Sequence, residues 1–155
     1  MSDGQEPVAM RKRSAGDLLG LPVRLHGLAL GRPVDLFLDR DDLKVVGLDV
    51  LCGDGQHRFL PLAAGEVVED GISITSPLVL LEEEELDFYR SRTFSLGALR
   101  GRPVRRRDRD IGLLRDLLLN ADCTVAAVVV DVNGRQQVIP FDDSIRFDPR
   151  SRSAA

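Results

Sequence analysis

Apolar positions along the chain fall into short alternating runs separated by turn residues, the pattern of strands in hairpins. Val125 to Val132 is valine- and alanine-rich with one acidic interruption, Asp131, and reads as a central strand. Asn133-Gly134 follows, a pair that supplies the positive φ angles of a type I′ turn. Gln136 to Ile139 is the return strand, and Pro140 stops it because it has no N–H to donate. Upstream, Ile111, Leu113, Leu117 and Leu119 share one face, with Arg115 breaking the pattern. Gly112, Leu114, Asp116 and Leu118 take the other.

The same order of signals stands 81 positions earlier. Leu99-x-Gly101-x-Pro103-Val104 falls on Leu18-x-Gly20-x-Pro22-Val23, Gly112 on Gly31, and Asp116 on Asp35. After a two-residue deletion, Asn133-Gly134 meets Asp54-Gly55 and Pro140 meets Pro61. Ordered turn, strand and proline signals at one offset predict an internal repeat. The structural repeat positions are Gly31, Asp35, Pro61, Gly112, Asp116 and Pro140.

The predicted organisation is a disordered polar tail over 1–13, a first repeat over 14–77, an acidic helical linker over 78–94, a second repeat over 95–147 and a second tail over 148–155. Met10 is an alternative start to Met1. In the first repeat, strands are expected over Leu21 to Leu25, Leu30 to Leu38, Leu43 to Cys52 and His57 to Leu60. A short hairpin around Glu69-Asp70-Gly71 follows. In the linker, Glu82 to Glu85 suit the positive end of a helix dipole, and Leu81, Leu86 and Tyr89 line one side. The second repeat lacks the last strand of the first. An open edge invites aggregation, so the apolar Pro7 to Met10 is expected to close it.

Composition adds limits. The chain has 155 residues, 43% hydrophobic and 30% charged, which is globular. Each repeat is about 60 residues, a size that buries only ~60% of its unfolded surface, so the two should pack on each other or on a second chain. A net charge of −4 argues against nucleic acid as the main partner. All but Lys12 and Lys44 of the 21 basic residues are arginine, as a GC-rich coding sequence would give. Cys52 and Cys123 form no Cys-x-x-Cys motif and read as reduced thiols in a cytoplasmic, bacterial protein. No apolar run approaches the ~20 residues of a membrane span.

Leu99-x-Gly101-x-Pro103-Val104, Gly112-x3-Asp116-Leu117-Leu118-Leu119 and Val138-Ile139-Pro140-Phe141-Asp142-Asp143-Ser144-Ile145 together resemble the PRC-barrel, the small β-barrel named for the photosynthetic reaction centre H subunit. The same barrel forms the C-terminal domain of the 16S rRNA maturation factor. The first repeat resembles it more weakly, with Leu62-Ala63-Ala64 where the motif's Asp-Asp would sit. The resemblance implies a mainly β fold: two small antiparallel PRC-like barrels joined by a short α-helical linker. It implies a non-catalytic, cofactor-free adaptor that binds protein partners.

Candidate sites are few. Asp35 and Asp116 occupy one place in both repeats, so they read as backbone hydrogen-bond acceptors rather than as an acid/base pair. Cys52, Asp54 and His57 surround one hairpin but lack the further partners that metal or nucleophilic chemistry needs. Arg100, Arg102, Arg105, Arg106, Arg107 and Arg109 form a basic ridge that could contact phosphate, the basis of an alternative reading as an RNA or ribosome-precursor binder. No aromatic is interleaved there to stack on bases. Phe37, Leu114 and Leu118 lie opposite the main apolar stripe and are expected at an inter-barrel or partner interface, with a homodimer contact as the second reading.

Overall fold

The computed structural model describes residues 13–149. In chain order its first elements are β1 (Arg13–Ser14), α1 (Ala15–Leu19), β2 (Val23–Leu25), β3 (Leu28–Asp39), β4 (Val45–Cys52) and β5 (His57–Pro61). They are followed by β6 (Glu66–Val68), β7 (Gly71–Ile74), α2 (Glu83–Arg92), β8 (Thr93–Ser95) and α3 (Leu96–Leu99). The last are β9 (Pro103–Arg106), β10 (Arg109–Leu119), β11 (Val125–Val132), β12 (Arg135–Pro140) and β13 (Ile145–Phe147). The protein is mainly β and has two sheets. The first runs β5-β4-β3-β2-β7-β6 with β8 beside β3; the second runs β12-β11-β10-β9-β13 with β1 beside β10. Among the described residues neither sheet closes into a ring of hydrogen bonds. No described helix is long and apolar enough to cross a membrane.

The repeat is present strand for strand in β2–β5 and β9–β12. The two deleted residues fall in different loops, one between β10 and β11 and one in the Asn133-Gly134 hairpin. Leu43 and Cys123, which precede β4 and β11 by the same two positions, both adopt left-handed φ angles, 53° and 67°. Gly31 and Gly112 also do the same work. A Cβ on Gly31 would stand 2.6 Å from the Leu51 carbonyl oxygen, and one on Gly112 would stand 2.9 Å from that of Asp131.

At the edge the halves differ. In the first, β7 lies parallel to β2, with β6 outside it. Among the described residues the second has no counterpart of β7, and β13, which corresponds in sequence to β6, pairs directly with β9. That side of β9 is therefore filled by Ile145–Phe147. Pro7 to Met10, expected there, lies outside the described residues. Arg13, assigned to a tail by sequence, is in β1 opposite Leu119, and Asp148 receives Arg102.

The halves also exchange their leading elements. β1 and α1 precede the first sheet in sequence, yet β1 pairs with β10 of the second. β8 and α3 precede the second sheet, yet β8 pairs with β3 of the first. Each short helix starts at a serine cap: Ser14 Oγ accepts from Asp17 N and Ser95 Oγ from Ala98 N. Equivalent residues meet where the loops cross, Lys44 opposite Thr124, and Val45 N donates to the Cys123 carbonyl at 2.9 Å. Reciprocal contact of equivalent residues is the signature of a two-fold interface, here inside one chain. One apolar core spans both sheets, including Leu18, Leu36 and Leu48 from one half and Leu99, Leu117 and Val128 from the other. This is how two repeats too small to bury much alone reach stability together.

Candidate functional site

Asp35 and Asp116 are the clasps of the exchange. Asp35 Oδ1 accepts from Leu36 N at 2.8 Å and from Gly97 N at 3.1 Å; Asp116 Oδ1 accepts from Leu117 N at 2.8 Å and from Gly16 N at 3.0 Å. Each carboxylate therefore holds the start of the helix that comes from the opposite half. Glycine lets the carboxylate approach closely at the receiving position: a Cβ on Gly16 would stand 2.8 Å from Asp116 Oδ2 and one on Gly97 would stand 3.1 Å from Asp35 Oδ2, so each carboxylate would have to shift to admit a side chain. The matching Ser14-x-Gly16 and Ser95-x-Gly97 triplets are the sequence signal for this clasp. Burial pushes the Asp35 carboxyl above the usual range; the Gly97 and Leu36 N–H groups oppose this and nearby Asp49 adds to it.

The three apolar residues expected at an interface have three different fates. Phe37 lies beneath α2, packed with Phe59 and Leu86, rather than between the halves. Leu114 points into the shared core and is fully buried. A register shift between Leu114 and Asp116 reverses the alternation at Arg115, so Leu114 joins Leu117 and Leu119 on the inner face. Leu113, expected inside, is instead 47% exposed. Leu118 does face outward and is half-buried.

The outer faces of the two sheets thus become the informative surfaces. On the first, α2 lies across β3 to β5. Leu86 is fully buried against Phe37 and Phe59, and the Tyr89 ring stacks on Phe59 with centroids 4.1 Å apart. Leu81 packs beside them, as the linker's apolar side requires. Asp49, 5% exposed, receives Arg90 at 3.0 Å and lies 2.8 Å from His57 Nδ1. His57 is therefore a partner of Asp49 rather than of Cys52. Cys52 Sγ lies 3.9 Å from the Val50 carbonyl oxygen, Asp54 holds Arg58, and no group of metal-binding side chains forms among the described residues.

On the second sheet, register puts Leu118 opposite Ala127, Ala127 opposite Pro140, and Val129 opposite Val138. These positions correspond to Phe37, Gly47, Asp49 and Phe59 of the first. None of the four apolar side chains belongs to the shared core. No described helix lies over them, and Val138 is 59% exposed where Phe59 is fully buried.

The arginine ridge divides. Arg102 is held by Asp148 at 3.2 Å, Arg105 by Asp110 at 3.0 Å, and Arg100 stands 3.9 Å from Asp116. Arg106, Arg107 and Arg109 instead line an open hollow of about 770 Å³ with Asp108, Ile111, Asp142 and Ser144. Hydrogen bonds from Ser144 hold the Asp142 carboxyl below its usual range, and Arg106 and Arg107 add to this.

Fold and surfaces together define a two-repeat, mainly β protein whose sheets are covered unequally. No protein-family model matches the chain, and no curated protein matches it.

Proposed function

We propose that the protein is a non-catalytic, PRC-barrel-like assembly module that binds a protein partner through the outer face of its second sheet. The observation that carries this reading is the exposure of Val138 above Val129 and Leu118, at positions whose counterparts are buried under α2 in the first half. Apolar side chains clustered on an exposed face mark contact surfaces. The carboxylates of Asp35, Asp49 and Asp116 are occupied in holding the fold, which leaves them no role in acid/base chemistry in this reading. The test is retention of cytoplasmic proteins on the full chain and on Val138→Glu. A protein held in stoichiometric amount by the first and lost from the second, at unchanged melting temperature, supports the proposal. Equal retention by both overturns it.

A second reading, RNA or ribosome-precursor contact, draws on the gathering of Arg106, Arg107 and Arg109 around one hollow. It expects salt-dependent RNA binding that is lost when Arg106 and Arg107 become serine. Binding that ignores salt and both substitutions removes it.

A further inference from the structure

Resting on the reading above, we propose that the outer face of the second sheet is the seat for a single amphipathic helix of a partner protein, one with an uncharged aliphatic seam. The template is within the same chain. On the first sheet a helix meets the equivalent positions through Leu86, Tyr89 and Arg90, spaced i, i+3 and i+4, so three side chains of one helix face reach one seat.

The substitutions between the seats define how the second occupant differs. Phe59 becomes Val138, which offers no ring for Tyr89 to stack on; an aliphatic side chain suits it instead. Asp49 becomes Val129, so the socket for Arg90 is gone, and a buried cation there would have no partner. Gly47 lies directly under Phe59, its Cβ position 2.2 Å from that ring; Ala127 fills the same place with a methyl group. The second seat is thus shallower, aliphatic and uncharged at its centre. Its rim charges already pair, Arg115 with Asp131 at 2.7 Å and Arg100 with Asp116 at 3.9 Å. Charge matching therefore selects a helix with a neutral seam, unlike α2.

The chain's own upstream residues are a poor match by composition. Counted back from Arg13 as α2 is from Phe94, they put Gln5 where Leu86 stands and Pro7 where Phe88 stands. Proline inside a helix costs about 3 kcal/mol. A second copy has no spare helix among its described elements, because α2 is engaged on its own first sheet.

The probe is a stapled helical peptide of residues 82–92 carrying Tyr89→Leu and Arg90→Leu, titrated into the isotope-labelled full chain; the staple is needed because so short a helix is marginal in water. Amide shifts should concentrate at Leu118, Ala127, Val129 and Val138. Affinity should fall about tenfold or more for the Val138→Glu chain, for a Leu118→Arg chain, and for the peptide that keeps Tyr89 and Arg90. No shifts at millimolar peptide overturn the inference. So does concentration-dependent burial of the face in a dimer, or a face that binds only after residues 1–12 are removed. If the peptide fails while Val138→Glu still abolishes partner retention, the face binds something other than a helix and the assembly reading survives. If the peptide binds normally but retention ignores Val138, the reverse holds.

Discussion

The two halves share a four-strand plan and differ in what lies on its outer side. In the first half a ring stack, Phe59 on Tyr89, joins a buried carboxylate held by Arg90 and His57. In the second, valine and alanine occupy the same register with no described helix above them. A repeat fixes the inner face of a sheet, because both halves contribute to one core. It leaves the outer face free to diverge, and there the two halves can acquire different tasks.

The largest contrast comes from the ring that anchors α2. Phe59→Ala should cost about 3–5 kcal/mol, the range for emptying a buried aromatic site. Val138→Ala, its counterpart, should stay within about 0.5 kcal/mol, as exposed substitutions do. Urea unfolding of both variants measures the pair; equal losses would mean that the second face is buried after all. Next is Gly47→Ala, which drives a methyl group into the Phe59 ring while Tyr89 blocks its retreat. Overpacking of that kind costs about 1–3 kcal/mol. Copying the glycine into the second half as Ala127→Gly should cost no more than about 1 kcal/mol, the usual backbone effect.

Much of this was legible in the sequence, where chemistry is local. Asn133-Gly134, Asp54-Gly55, Pro61 and Pro140 each dictate their own backbone, so strands and repeat could be read residue by residue. The linker helix was legible from Leu81, Leu86 and Tyr89. The exchange was not: Ser14 and Ser95 cap their short helices equally well whichever sheet receives them, and only tertiary packing decides. The direction of Leu114 was also hidden, since one extra residue at a bulge inverts every side chain beyond it. Of the candidate face, Leu118 was legible as outward. Val129 and Val138 were not, because a valine reads the same in a core strand and on a bare one.

The clasps give the next comparison. Asp35→Ala and Asp116→Ala each leave a helix-start N–H without its acceptor, which costs about 1–3 kcal/mol. Both losses should be measurable by chemical unfolding at neutral pH, with the smaller at Asp35, whose ionised carboxyl is disfavoured by burial and by Asp49. A large loss at one and none at the other would show that a single crossing holds the halves together.

The smallest effect separates the clasps by pH. Asp35 lies across from Asp49, whereas Asp116 lies across from Val129. Burial first, and the Asp49 charge after it, raise the Asp35 carboxyl above its unfolded value. A folded-state pKa above the unfolded one favours the protonated form in the native protein. The stability this adds is complete below the ordinary carboxylate pKa, and it is lost as pH rises through the folded value. Asp35→Asn keeps an acceptor oxygen for Gly97 N and cannot ionise. Its stability relative to the wild type should therefore increase between pH 3 and pH 7. Asp49→Val, which gives the first half the residue of the second, removes one cause of the shift and should narrow that increase, provided that α2 stays seated by circular dichroism. Urea midpoints across the range decide the matter: a relative stability of Asp35→Asn that stays flat or falls with pH would mean that the Gly97 and Leu36 N–H groups outweigh burial at this clasp.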